Sequence, residues 1–412
     1  MNNKKLTVSY KEAQNIILNS VRPLNYEDIS IMEAFNRVLY EDIVSDIMIP
    51  PLDDSAMDGY AIISEDTLGA SKENPIKLQI TGEVQAGGSL AGKKVLKGTA
   101  IRIMTGAPIP EGADAVIQFE ETEETAGFVK IFSETAKFRN YRFAGVSLKT
   151  GDSVLYKGER LSTANIGILA SLNRAKIKVY KQPTVAIIST GDELADIGEE
   201  IKAGQIRNSS AYSLYSEVKK YSAIPNYLGI VKDIKKDMRE IFLKALESDV
   251  VISTGGVSAG KYDFVKDIYT DLNISIEFEK INIKPGKPCT FGTKDNKLIF
   301  GLPGNPVPTL TSFIQFVRPA LLKMMGAKKI EKPVVSAFLE EDISKLSGAT
   351  NLIRGNFTIK NNEFYVTTTG NQNSSILRSM SDANCLIMIP ENVTGVKAGE
   401  KVAIQLIEHD EI

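Results

Sequence analysis

The spacing of apolar residues changes character several times along the chain, and the changes separate regions. From Ser9 to Val21, Ala13, Ile16, Ile17 and Val21 fall on one helical face behind a Ser9/Glu12 capping box. Ser30 and Glu33 repeat that start signal ahead of Ala34, Val38 and Leu39, predicting a second helix. From Pro50 the period disappears: PPLDDSAMDGYA reads as an ordered loop. Strand-like runs follow in IKLQITGEV, AIRIM, DAVIQFEE and FVKIF, punctuated by Gly, Pro and Asn/Asp. A turn-rich stretch then leads to a predicted helix from Ser162 to Leu172.

Beyond Pro183, strands and helices alternate. Strands are predicted at Thr184–Ser189, Tyr227–Val231 and Val250–Ser253, with helices at Ser210–Tyr221 and Lys235–Leu246. The second helix carries Met238, Ile241, Phe242 and Ala245 at helical spacing. Such alternation implies a parallel sheet with right-handed crossovers. Asn305 as N-cap and Pro306 as first residue open another helix, with Leu310, Phe313, Ile314 and Val317 on one side. From Pro333 short strands return, including a hairpin, NFTIKNNEFYV, turning at Asn361 and Asn362. The expected organisation is multidomain α/β plus β. A discontinuous helical and extended region covers 1–52 and 141–180, a small β domain 53–140, a parallel-sheet α/β domain 181–328, and a barrel-like β domain 329–412.

Composition narrows the chemistry. The 49 Lys and Arg nearly balance the 51 Asp and Glu, so no global field favours nucleic acid or an anionic membrane. No apolar run is long enough to span a bilayer, and none follows the N-terminal lysines as in a signal peptide, so a cytoplasmic location is expected. Cys289 and Cys385 form no metal-ligand spacing. The single histidine, His409, argues against a Ser-His-Asp triad or a His-rich zinc site, so any metal is expected on oxygen ligands, which points to Mg²⁺.

Three loops follow short apolar runs: AIISTGDEL from Ala186, VVISTGGVSAGKYD from Val250 to Asp263, and LIFGLPGNPVP from Leu298. Loops at strand ends of an α/β sheet share one crevice. The Gly-rich turn before Asn305 also offers an anion the free N–H groups of a helix N-terminus. Asp58, Glu193, Asp233 and Asp263 stand beside turns or strand ends, where together they could hold Mg²⁺ and orient a water; singly, each is as well explained as a cap or surface charge. Lys284 and Lys287 bracket a Pro-Gly turn and make an oxyanion seat, or two exposed lysines. The residues alone reach a phosphate- or oxyanion-handling crevice and no named reaction.

The ordered motifs PPLDDSAMDGYA, RIMTGAPIPEGADAV, STGDEL, STGGVSAGKYD, KPGKP and GLPGNPVP resemble those of the molybdopterin molybdenumtransferases, the MoeA family, whose block also forms the C-terminal part of gephyrin. The resemblance runs from about Ser9 to the C-terminus. It implies a MogA-like molybdopterin-binding domain and an elongated homodimer with its active site at the subunit interface. It also implies molybdenum insertion from molybdate into the dithiolene of adenylated molybdopterin, with Mg²⁺-dependent release of AMP. Asp58 and Thr105 of one subunit would face Glu193, Asp233 and Asp263 of the other, with Glu193 and Asp263 as metal ligands. Lys284, Lys287 and Pro288 would seat molybdate, and Arg354 matches the family's basic residue from the C-terminal domain. Ser189, Thr190, Gly191, Ser253, Gly255, Gly256, Ser258, Gly260, Gly304, Asn305 and Pro306 would hold the pterin and its phosphate. An upstream adenylyltransferase is the implied partner.

Three positions depart from the family pattern. Gly145-Val146-Ser147 stands where the family has Gly-Glu-Asp, Pro308 replaces a serine after GNPV, and Ser210 replaces an asparagine. A molybdopterin adenylyltransferase sharing the GGVSxG loop, and a pterin-binding scaffold with weakened catalysis, are the alternative readings.

Overall fold

The computed structural model describes residues 6–255, 264–344 and 348–407. The chain divides into two compact units, one of residues 1–41, 157–167 and 175–412, the other of 42–156 and 168–174.

The larger unit is built on a seven-stranded sheet. Its strand order is Thr7–Val8, Ser275–Ile281, Pro288–Lys294, Lys297–Leu302, Val250–Thr254, Thr184–Thr190 and Ile224–Val231. The last four are mutually parallel. Pro288–Lys294 instead runs antiparallel to both neighbours, so the sheet is mixed rather than wholly parallel. The reason is local: Lys294 pairs with Lys297 across the two-residue turn Asp295-Asn296, and a connection that short can only reverse the chain.

The central strands are apolar at consecutive positions because both faces are covered. Val185, Ile187, Val250, Ile252 and Phe300 enter one core with the helices Tyr10–Ser20 and Ser209–Lys220 and the helical run from Pro306 to Met324. Ala186, Ile188, Val251 and Ile299 enter the other with Met238, Phe242 and Ala245 of helix Lys235–Ala245 and with Ile268 and Tyr269. The capping box forms as expected: Ser9 Oγ accepts from Glu12 N–H, and the Glu12 carboxylate accepts from Ser9 N–H.

The helix expected after Ser30 does not form. Tyr26–Ser30 is a strand paired with Lys176–Tyr180, Ser30 caps only the single 3₁₀ turn Ile31–Glu33, and Asn36 at φ 63° takes the chain out of helical conformation. Val38 and Leu39 make bridges to Arg160 and Val179. A cap signal starts a helix only when an apolar helical face follows, and here the flanking residues gain more by pairing as strands.

Near the chain's end five strands close on themselves: Thr350–Lys360, Glu363–Thr368, Val334–Leu339, Lys401–Leu406 and Cys385–Ile389, which returns to the first. Asn361 and Asn362 turn the expected hairpin with φ of 50° and 62°, the left-handed pair that a two-residue hairpin favours. A two-residue strand from the α/β part, Ile283–Lys284, pairs in parallel with Thr350–Asn351.

The smaller unit is a six-stranded sheet ordered Ala115–Gln118, Gly59–Ile62, Thr99–Ile103, Ile76–Val84, Phe128–Ile131 and Thr122–Thr125. Tyr60, Ile62, Leu78, Ile117 and Val129 pack on one side, and Ala61, Val84, Ile101 and Val116 on the other. Among the described residues no helix of either unit is long and apolar enough to cross a membrane.

Phe300 is fully buried, its ring 5.0 Å from that of Phe291. Phe300→Ala should lower the stability of the α/β part by about 3–5 kcal/mol, read from urea unfolding. A loss below about 1 kcal/mol would mean that this layer is not close-packed.

Candidate functional site

Two adjoining cavities open in the larger unit, sharing Pro288, Pro303 and Asn305 in their walls. The smaller, about 270 Å³, lies at the carboxyl ends of the parallel strands and is lined by Thr190, Glu193, Asn208, Thr254, Gly255 and Gly304, among others. Gly255 has no substitute there: its φ is 83°, and a Cβ would sit 2.4 Å from Thr190 O.

Of the residues singled out in the sequence, Thr190, Glu193, Gly255, Gly304, Asn305, Pro306 and Pro288 line this cavity. Ser189 and Ser253 do not. Both are fully buried within the sheet, where Ser189 Oγ contacts Asn208 and the Ser253 hydroxyl has no partner among the described residues. The strand pleat turns the neighbouring Thr254 to the wall instead. Gly256, Ser258, Gly260 and Asp263 lie outside the described residues.

Asn208, like Thr254 and Arg207, is a wall residue that sequence reasoning missed. It caps the helix Ser209–Lys220 and donates to Tyr227 OH at 2.9 Å. Its signal was visible as Asn-Ser-Ser before a helical period. Ser210, one of the departures, donates to Gly304 O at 3.0 Å and ties this helix to the GLPGNP loop.

The larger cavity, about 730 Å³, lies between the Lys284–Pro288 turn and the barrel. Lys284, Lys287 and Arg354 all line it. The pairing of Lys284 with Asn351 joins the turn by backbone to the strand that carries Arg354. Gly286, at φ 103°, lets the turn close, because a Cβ would stand 3.0 Å from Ser312 Oγ. Arg354 is buried, with Nε donating to Ser379 Oγ at 3.1 Å and Nη2 to the carbonyl of Asn373 at 3.2 Å. Its hydrogen-bond partners are neutral, and burial pushes the guanidinium below its usual value while leaving it charged. Two acids on the same wall are engaged elsewhere: Asp342 pairs with Lys397, and Glu341 accepts from Thr368 N–H. Among the described residues Lys284, Lys287 and Arg354 therefore line the cavity without a carboxylate partner.

The helix N-terminus contributes less than its sequence promised. Pro306 and Pro308 occupy two of the first three helical positions and lack N–H groups. Thr309 N–H already donates to Asn305 O, so within the first helical turn Val307 alone is left to offer one, beside the N-cap Asn305. An anion here depends on the side-chain cations.

The acids fall into two places. Asp192 and Glu193 lie close enough to Asp233 to act on it: burial and then their charges raise its pKa above the usual carboxylate range. The Glu193 carboxylate folds back over Gly191. Among the described residues no three His, Cys, Asp or Glu side chains converge as a metal cage. In the smaller unit, Asp58 is exposed and accepts at one oxygen from both Thr105 N–H at 2.6 Å and Thr105 Oγ at 2.7 Å. These bonds, the backbone one foremost, hold its carboxyl below the usual range. The Gly145–Ser147 departure forms a turn pinned by Gly145 N–H to Pro50 O and Ser147 N–H to Ile49 O, both at 2.9 Å.

Comparison with known proteins fits this arrangement. Residues 8–173 match the MoeA N-terminal region (domain I and II), 186–323 a probable molybdopterin binding domain, and 336–407 the MoeA C-terminal region (domain IV). The crystal structure of the molybdopterin biosynthesis moeA protein from Pyrococcus horikoshii OT3 superposes with a TM-score of 0.83 at 34% identity, covering 97% of this chain and all of that one. The fold and site thus define a transferase acting in molybdenum cofactor biosynthesis. Molybdopterin molybdenumtransferases of Staphylococcus epidermidis and Staphylococcus aureus are each 37% identical, over 98% and 99% of this chain and 97% of their own length. The chain belongs to the molybdopterin molybdenumtransferase family.

Asp233 gives a pH test. Its native pKa lies above the unfolded one, so burial of the charge, and secondarily repulsion by Asp192 and Glu193, costs nothing below the ordinary aspartate range, near 3.9, and destabilises the fold as pH rises through the elevated native value. Asp233→Asn should therefore raise Tm at pH 7.5, by about a degree for a solvent-screened group, and the gain should vanish in acid. A gain equal at both pH values would contradict the raised native pKa.

Proposed function

We propose that the chain inserts molybdenum from molybdate into the dithiolene of adenylated molybdopterin and releases AMP. The observation that carries this reading is the pair of adjoining cavities: a polar one at the strand ends, next to a basic one whose three cations lack carboxylate partners. A pterin phosphate suits the first and a tetraoxoanion the second. Lys284 and Lys287 would hold molybdate as point charges and Arg354, its Nε and Nη2 already engaged, would add positive charge from the wall, next to the dithiolene of a pterin seated against Thr190, Thr254 and Asn208.

AMP release requires water to attack the phosphoanhydride, which breaks to leave one phosphate on the pterin side. Asp233, with its raised pKa, is suited to take the proton from that water. Asp58, kept ionised by Thr105, would approach from a second copy of the chain and complete the site together with Glu193, Asp233 and Asp263.

The oxygen donors and their mutual repulsion suit Mg²⁺. This ion is commonly held by one or two carboxylates plus substrate phosphates. Glu193 and Asp263 would be its ligands, and the ion would offset charge on the phosphates. An adenylyltransferase must supply the adenylated substrate.

Purified protein given adenylated molybdopterin, molybdate and Mg²⁺ should yield a cofactor that activates a molybdenum-free apoenzyme. Asp58→Asn should lower that yield about 100-fold with Tm unchanged. ATP consumption with unadenylated molybdopterin would instead make the chain an adenylyltransferase.

A further inference from the structure

The helical run that begins at the cavity does not stay α-helical. After Pro306–Ser312 the backbone opens into a π-turn, Phe313–Val317, before α-helix resumes at Arg318–Met324. Single π-turns inside helices recur at functional positions. This one carries Gln315, which is 1% exposed in otherwise apolar surroundings.

Gln315 is the node of a buried polar chain. Gln14 Nε2 donates to Tyr10 OH at 3.0 Å, Tyr10 OH donates to Gln315 Oε1 at 2.7 Å, and Gln315 Nε2 donates to Gln405 Oε1 at 2.6 Å. Gln14 also reaches the Gln315 carbonyl at 3.4 Å. Every donor points the same way, so the bonds reinforce one another. Burial pushes the Tyr10 phenol up to about 12, which keeps it a donor. The chain links the N-terminal helix, the helical run and barrel strand Lys401–Leu406.

The barrel register gives this a consequence at the cavity. Gln405 pairs with Leu386, and Leu386 pairs with Arg354. Residues directly opposite across neighbouring strands share a face, and strands lie about 4.8 Å apart. Gln405 and Arg354 therefore stand in one row about 10 Å apart. Between them Leu386 packs on Val307, Leu310 and Ile314 of the same helical run. One end of that run lines the cavity through Asn305 and Pro308, and the other grips the row through Gln315.

We infer that Gln315 is a positioning residue: through Gln405 it sets where Arg354 stands relative to Lys284 and Lys287, and so tunes the affinity of the basic cavity for a tetraoxoanion. This rests on the proposed molybdate seat. The pairing of Ile283–Lys284 with Thr350–Asn351 anchors one end of the strand that carries Arg354; the Gln315–Gln405 bond anchors the same row from two strands away, on the helical run that lines the cavity.

The test uses the full chain and sodium molybdate, with affinity read by calorimetry and stability by Tm. Gln405→Leu removes the acceptor, whereas Gln405→Glu retains one. Gln405→Leu should weaken molybdate binding about tenfold, a displacement effect, and Gln405→Glu should restore at least half of that loss on a logarithmic scale. With substrate saturating, KM for molybdate should rise while kcat holds. Unchanged affinity in folded Gln405→Leu, or equal loss in both variants, would overturn the inference. If wild-type protein binds no molybdate, it is the proposed seat that fails.

Discussion

The basic cavity depends on one small piece of backbone, the pairing of Ile283–Lys284 with Thr350–Asn351. Without it the lysine turn and the arginine strand would be linked only through more distant contacts, apolar packing and side-chain bonds such as Gln315–Gln405 and Asn282–Glu391. With it, Lys284 and Arg354 are three residues apart along a shared ladder. Like charges so placed repel, and the fold tolerates this because Arg354 is held by neutral acceptors and the turn is backed by Ser312 and Ile283. A site that gathers uncompensated cations is arranged for an anion.

The acids show the same economy with opposite sign. Asp58 is hydrogen-bonded so that it stays ionised, while Asp233 is partly buried and then crowded by Asp192 and Glu193, so that its proton is held more tightly. Environments that push two carboxyls apart in pKa are suited to different tasks. The departure at Gly145–Ser147 removes an acid of the family pattern but keeps a turn with two backbone bonds to the Ile49–Pro50 segment, so the loop's shape does not depend on that carboxylate.

Much of this was legible in the sequence because it rests on local chemistry. The capping box at Ser9, the Asn-Asn hairpin and the helices at 209–220 and 235–245 follow from spacing alone. The motifs also pointed to Thr190, Gly255, Lys284, Lys287 and Arg354, which all line the two cavities. What escaped was non-local. The antiparallel strand Pro288–Lys294 was hidden because a buried run reads alike in either direction, and Ser30 capped a turn rather than a helix because Tyr26–Ser30 found a strand partner about 150 residues away. Thr254 and Ser253 exchanged places because one step along a strand changes the face. The two prolines that strip donors from the helix N-terminus were in plain view, yet their effect depends on which N–H groups the turn had already engaged.

The central claim is that molybdate and adenylated pterin meet in the two cavities and that loss of AMP accompanies insertion. Its most direct measurement counts AMP by chromatography and protein-bound molybdenum by mass spectrometry while molybdate is titrated into protein, adenylated molybdopterin and Mg²⁺. The account predicts equimolar AMP and molybdenum, with little AMP before molybdate is added. AMP released at full rate without molybdate, or molybdenum retained while the adenylate stays intact, would contradict it.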